Sequence, residues 1–180
     1  MTAPPVEVAC ARRLRLREAT LADAVFVRGL VSQDSWSRNI GPVQMASLND
    51  AQAYVRTRLI ERYAEQGFGL WLICHRPDDR PIGMAGLVSR PVLPGPDLGF
   101  ALLDDQAGQG YAFEASQAVL EVARMRFGLD ELYAVVKPDN APSIRLLRRL
   151  TLRCNSQEPG SAIRIWLSTI ARCPELGRGT

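Results

Sequence analysis

The stretch PDLGFALLDDQAGQGYAFEASQAVLEVARMR, Pro96–Arg126, decides the fold. Leu98–Leu103 is apolar and of the length of a buried strand. Asp104–Gln109 breaks that run. Gly108 and Gly110 permit a tight turn and let a ligand approach the backbone. A helix opens at Gly110. Glu114, Gln117, Glu121 and Arg124 form its polar stripe, and Ala112, Ala115, Val119 and Val122 face a sheet from the other side. Gly128 stands where a left-handed C-terminal cap is expected. The first turn of such a helix has free N–H groups and a partial positive charge, so the glycines open it to an anion. The same turn also serves as a plain connection that binds nothing. GxxxxGK[ST] is absent, and GxGxxG fails because Phe113 holds its last glycine position.

A second parallel strand follows from the same stretch. After Gly128, Glu131–Val136 (ELYAVV) reads as a buried strand. A strand, a helix and a strand in sequence make a parallel pair with a right-handed crossover. Ligands lie at the carboxyl ends of such strands. That edge carries the glycine turn and Lys137-Pro138-Asp139-Asn140. Asn140 then caps a short helix with Pro142 in its first turn, through Leu150. Ile144 and Leu147 point inward; Arg145, Arg148 and Arg149 point largely outward. Leu152–Cys154 and Ala162–Ser168 read as closing strands, and the tail after Cys173 as unstructured.

Towards the N-terminus, Met1–Ala11 reads as a loose tail. Leu14 and Leu16 alternate with arginines as in a half-buried strand. Thr20 and Asp23 open a helix to about Val31. Ser32–Met45 is polar and irregular; its Trp36 either tucks into a core edge or walls a ligand pocket. Ser47 and Asp50 open a second helix to Gln66, ended by Gly67. Phe68–Cys74 and Ile82–Ser89 are strands in hairpin sequence with Leu98–Leu103, the last two joined through a proline-rich loop.

Composition limits the classes. The chain has 180 residues, 47% of them hydrophobic, enough for one domain with a real core, taken as 12–170 between flexible tails at 1–11 and 171–180. A formal charge of +3 is too small to imply nucleic acid. Cys10, Cys74, Cys154 and Cys173 make no CxxC and read as reduced cytosolic thiols. His75 is the only histidine, so a metal site or a Ser-His-Asp triad has little to build on. No apolar run spans a membrane, and the N-terminus lacks the core of a signal peptide. The expectation is a cytoplasmic protein, monomer or homodimer.

Four segments carry a resemblance: LRLREATLADA (Leu14–Ala24), LNDAQAYVRTRLIERYAEQGFGLWLICHRPDDRPIGMAGL (Leu48–Leu87), LGFALLDDQAGQGYAFEA (Leu98–Ala115) and VKPDNAPSIRLLRRL (Val136–Leu150). Together they resemble the GNAT superfamily of N-acetyltransferases, in the subgroup similar to ribosomal-protein N-terminal acetyltransferases. The resemblance implies an α/β fold: a mixed, mostly antiparallel sheet of about six to seven strands, flanked by helices, with splayed parallel central strands. It implies acetyl-CoA as co-substrate, no metal, and a primary amine as acceptor, either a protein or peptide N-terminus or a small molecule. The pyrophosphate would sit on the backbone of Ala107, Gly108, Gln109, Gly110, Tyr111 and Ala112. The family motif [QR]xxGx[GA] has Ala107 in its first place here, with Gln106 one residue out of register. The glycine that usually follows the last helix is absent from Arg148–Cys154, RRLTLRC. The general-acid tyrosine of many relatives has no counterpart in that helix.

Acetyl transfer to an amine needs a proton acceptor, a donor to the developing oxyanion and a donor to the leaving thiolate. Asp97 resembles a carboxylate base, or it starts a strand after a Pro-Gly-Pro turn. The N–H groups of Phe100, Ala101 and Leu102 would polarise the thioester carbonyl. Asn140 would bond pantetheine and Ser143 would donate to the thiolate, following the family's N-x-x-S pattern. Glu114 suits a structural or dipole role. Arg145, Arg148, Arg149 and Arg153 form a solvated face, or one or two of them meet the 3′-phosphate of CoA. The rival reading is a non-catalytic acyl-CoA-binding or interaction domain that kept the fold.

Overall fold

The computed structural model describes residues 4–156 and 164–169. An antiparallel pair, β1 (Glu7–Cys10) and β2 (Leu14–Arg17), opens the chain. The loose-tail expectation therefore fails over Glu7–Cys10. Thr20 and Asp23 form the expected capping box over a 3₁₀ turn, which leads into α1 (Ala24–Val31). Asp34–Asn39, read as irregular, forms the short helix α2. Ser47 and Asp50 cap α3 (Leu48–Val55) reciprocally. The single long helix expected there widens into a π-turn at Arg56–Ile60 before α4 (Glu61–Gln66). Thr57 Oγ1 donates to Ala53 O at 3.0 Å just where the ladder loosens. Gly67 ends α4 at φ +74°.

β3 (Leu70–His75), β4 (Pro81–Val88) and β5 (Asp97–Leu102) follow as an antiparallel meander. Then come α5 (Tyr111–Phe127), β6 (Glu131–Val136), α6 (Ala141–Arg149), β7 (Arg153–Ser156) and β8 (Arg164–Thr169). The first residues of the expected last strand and the segment after Cys173 lie outside the described residues. All these strands form one eight-stranded sheet, in the order β1-β2-β3-β4-β5-β6-β8-β7. It exceeds the expected six to seven strands because β1 joins its edge.

The core runs through the middle of the sheet. Ile82, Met84, Ala85 and Leu87 of β4 are buried, and α5 packs across β4, β5, β1 and β2 through Ala115, Val119, Val122 and Ala123. α1 packs against α3 through Val27, Leu30, Ala51 and Val55. These side chains are aliphatic or small, and burying each contributes about 1.5–3 kcal/mol for the larger ones.

One junction shapes everything downstream. Among the described residues β5 and β6 are the only parallel neighbours, and their register is a single pair, Asp97 with Tyr133. Tyr133 N donates to Pro96 O at 3.1 Å. Beyond that point β5 stays paired with β4 as far as Leu102, and β6 stays paired with β8, but the two no longer pair with each other. The sheet therefore opens into a fork.

Candidate active site

The fork encloses a cleft of about 920 Å³. Its walls come from β4, β5, β6, α2, α3 and the starts of α5 and α6. At the open end lies the glycine turn. Gly108 and Gly110 have φ of +77° and +81°, the left-handed region that favours glycine. Gly110 is the N-cap of α5, so the amides of Tyr111, Ala112 and Phe113 have no intrahelical acceptor. Ala107, Gly108, Gly110 and Ala112 line the cleft. The side chains of Gln109 and Tyr111 turn away: Gln109 Nε2 donates to Asp105 O at 3.2 Å, and Tyr111 lies under the Arg13 guanidinium, 4.5 Å from its ring centroid. Those two residues offer only their backbone.

The turn is held from outside. Arg13 N donates to Glu114 Oε1 at 2.6 Å, Arg13 Nε to Oε2 at 2.7 Å, and Arg13 Nη1 to Gln109 O at 3.1 Å. Burial alone would raise the Glu114 carboxyl, but the Arg13 hydrogen bonds and charge outweigh it and hold it below its usual value. Glu114 is thus fully engaged in clasping β2 to α5. Gln33 performs a similar service for β5, accepting from Asp104 N at 2.7 Å and donating to Leu102 O at 3.4 Å.

Along β5 the amides alternate. Leu103 N donates to Ile82 O of β4 at 2.9 Å. An antiparallel strand turns the N–H and C=O of every second residue to the same neighbour. Gly99 and Ala101 therefore face β4, while Leu98, Phe100 and Leu102 face the fork. The expectation for Phe100 to Leu102 is corrected at its middle: the Ala101 amide is taken up by β4, and those of Phe100 and Leu102 point where no strand pairs with them.

Asn140 and Ser143 stand across the fork at the start of α6. Asn140 Oδ1 accepts from Ser143 N at 3.2 Å, the ordinary cap contact. That leaves the Asn140 amide N–H₂ and the Ser143 hydroxyl without partners among the described residues, and both residues line the cleft. Arg145 and Arg149 line the cleft as well; the Arg149 guanidinium lies 4.1 Å from the ring centroid of Phe113, in the first turn of α5. Arg148 instead stacks towards Trp166.

At the closed end lies Asp97, 1% exposed. Arg90 Nε donates to both of its carboxylate oxygens at 3.0 Å. Burial pushes the Asp97 carboxyl above the usual carboxylate range, with the Arg90 charge pulling the other way. Tyr54 of α3 and Trp36 of α2 close the wall. Trp36 is both things the sequence left open, 5% exposed in the core and lining the cleft. Arg90, Arg13, Gln33 and Tyr54 were invisible to sequence reasoning. Their partners are either far away in the chain or across a loop, and no motif marks them.

The glycine left out after α6 also finds an explanation. Thr151 takes a left-handed conformation, φ +64°. Thr151 N donates to Arg148 O and Leu152 N to Leu147 O, both at 3.0 Å, the two bonds of a Schellman cap. The turn is retained with a β-branched residue in the position that favours glycine. Among the described residues no group of His, Cys, Asp or Glu gathers as a metal ion would need, and no helix is long and apolar enough to cross a membrane.

The chain is thus a forked mixed sheet with a glycine-led helix at the mouth of the fork. Solved structures agree. An acetyltransferase from Agrobacterium tumefaciens superposes with a TM-score of 0.76 at 23% identity, covering 93% of this chain and 95% of that one. The Salmonella typhimurium acetyl transferase that modifies the N-terminal serine of ribosomal protein L7/L12 gives 0.74 at 17% identity, covering 92% and 100%. The ribosomal-protein-S5-alanine acetyltransferase of Vibrio fischeri gives 0.72 at 13%, covering 91% and 96%. An L7/L12 alpha-N-protein acetyltransferase solved with coenzyme A gives 0.73 at 17%, covering 91% and 98%. At these identities the likeness is one of fold. In sequence, the uncharacterized N-acetyltransferase YnaD of Bacillus subtilis is 32% identical over 57 residues, 32% of this chain and 34% of that protein, so the chain spans about a third of this curated relative's length. Residues 13–153 match the acetyltransferase (GNAT) domain family. The chain belongs to that family.

Proposed function

We propose that this protein transfers the acetyl group of acetyl-CoA directly to a primary amine, in a ternary complex. The observation that carries the reading is the fork itself: one continuous cleft joins a glycine-led helix N-terminus to a buried carboxylate. The family supplies acetyl-CoA as the co-substrate.

The chain's groups divide the work along the cleft. The backbone of Ala107 to Ala112 receives the pyrophosphate, where free amides and the helix dipole favour negative charge. Arg149 and Arg13 add cations at that end. The Asn140 amide N–H₂ donates to the pantetheine arm. The thioester carbonyl lies against β5, where the Phe100 and Leu102 N–H groups stabilise the oxyanion as it forms. The amine nitrogen attacks the carbonyl carbon and the C–N bond forms. Collapse of the tetrahedral intermediate breaks the C–S bond. The nitrogen's proton passes to Asp97, directly or through water, and the Ser143 hydroxyl donates to the departing sulfur. The raised carboxyl of Asp97 brings it closer to the range a base needs at neutral pH. No cysteine lines the cleft among the described residues, which favours direct transfer over an acetylated cysteine intermediate.

The test is to incubate the protein with acetyl-CoA and a panel of amines, following free thiol and acetylated amine together. Equal amounts of both are expected with at least one acceptor. Acetyl-CoA binding without either product would move the protein to the non-catalytic acyl-CoA-binding class.

A further inference from the structure

The Arg90 side chain is 44% exposed and lines the closed end of the cleft, yet only its Nε is in use. A guanidinium carries its donors on a rigid planar fork. Nε donates to Asp97, and among the described residues nothing accepts from Nη1 or Nη2. The Nη1–Nη2 edge is the geometry that receives a carboxylate through two parallel hydrogen bonds. CoA does not reach it with its phosphates. The glycine turn lies beyond the far end of β5, and Asp97–Leu102 alone spans roughly 17 Å. The cations beside the glycine turn are Arg149, stacked on Phe113 in the first turn of α5, and Arg13, which donates to Gln109 O. Asp97 is neutralised by Arg90, so the closed end offers a bare ammonium little net attraction.

We propose that Arg90 is a specificity-determining residue that reads a carboxylate on the acceptor, so the acceptor is an amine with an anionic group close to its nitrogen. The proposal rests on the transfer reading above. The amine meets Asp97 while its own carboxylate meets the free edge of Arg90. Two sources supply this chemistry: a free α-amino acid, and the N-terminus of a chain with an acidic residue beside it.

The experiment compares acceptors matched in all but charge. One arm sets α-amino acids against their amides. The other sets tripeptide amides with Glu in second place against the same peptides with Gln. The expected result is a kcat/KM for the anionic member about ten- to a hundredfold above the neutral one. Preference in the first arm assigns a metabolite acceptor, and preference in the second assigns a chain N-terminus. Arg90→Gln should bring the ratio close to unity with the KM for acetyl-CoA unchanged, and Arg90→Lys should leave a reduced preference. A residue that only orients Asp97 would lower both rates together and leave the ratio alone, which would overturn the proposal. If the variants do not fold, salt decides on the wild type. A true preference shrinks as ionic strength rises, and a salt-independent ratio overturns it. Transfer with equal or better use of neutral acceptors overturns this inference alone. No transfer in either arm overturns the transfer reading, and this inference with it.

Discussion

Arg13 grips Glu114 twice, through its backbone N–H at 2.6 Å and its Nε at 2.7 Å, across a separation of 101 residues. The clasp holds the first turn of α5 against the start of β2, and Arg13 reaches on to the carbonyl of Gln109. It makes stability depend on pH with a definite sign. The folded-state carboxyl of Glu114 is depressed below its ordinary value of 4.5, and that of Asp23, gripped by Arg17, lies below its ordinary 3.8. Both contributions are present above those values and are lost as the pH falls through the folded ones. Asp97 acts oppositely. Its folded value is raised above 3.8, so its contribution is present below 3.8 and lost as the pH rises through the folded value. Asp50 and Asp78 are depressed as well, by hydrogen bonds from Ser47 and Arg80, so four lowered carboxyls stand against one raised, and the midpoint of urea unfolding should fall on acidification below about pH 5. Glu114→Gln should flatten that fall. Parallel pH profiles for variant and wild type would remove Glu114 from the account.

Gly110→Val should abolish acetyl-CoA binding in a protein that still folds. The residue sits at φ +81°, so any side chain strains it by about 1–2 kcal/mol. Its Cβ would meet Arg13 Nη2 at 3.4 Å, the end of a flexible side chain that can give way. Circular dichroism should therefore stay native. Calorimetric titration should show no binding, while wild type gains about 2.7 kcal/mol from ligand at roughly 100 Kd. Unchanged affinity in a folded variant would make the turn a connection only.

Thr151→Gly should raise stability by about 1 kcal/mol, because glycine adopts the left-handed conformation without the clash a β-branched residue suffers. The Schellman bonds to Arg148 O and Leu147 O stay in place. Chemical denaturation reads the change, and a less stable variant would show that Thr151 contributes through its side chain instead.

Ser143→Ala should keep the affinity for acetyl-CoA and lower kcat by roughly one to three orders of magnitude. An interaction made with the sulfur only as the bond breaks acts on kcat and not on ground-state binding. The backbone N–H of Ser143 still donates to Asn140 Oδ1, so α6 keeps its cap. Weaker binding at unchanged kcat would assign the hydroxyl to cofactor recognition.

Much of this was legible in the chain. Gly108, Gly110 and Gly128 mark the turn, start and end of α5, because each needs φ above zero. Asn140 and Pro142 mark the start of α6 for equally local reasons. What escaped reading is non-local. EVAC is too short to declare itself a strand and is drawn in only by pairing with β2. Asp34–Asn39 has no apolar repeat, and its helix leans on Trp36. Which β5 amides face the fork depends on register against β4, so Ala101 could not be told from Phe100. Arg90 and Asp97 meet across a proline-rich loop, a geometry no spacing encodes.

Direct transfer is the centre of the account, and initial rates measured while acetyl-CoA and the acceptor are varied together test it most directly. An attack on the thioester within a ternary complex predicts double-reciprocal lines that intersect, with no thiol released until the amine is added. Parallel lines, with a burst of CoA and an acetylated protein in the absence of acceptor, would contradict it.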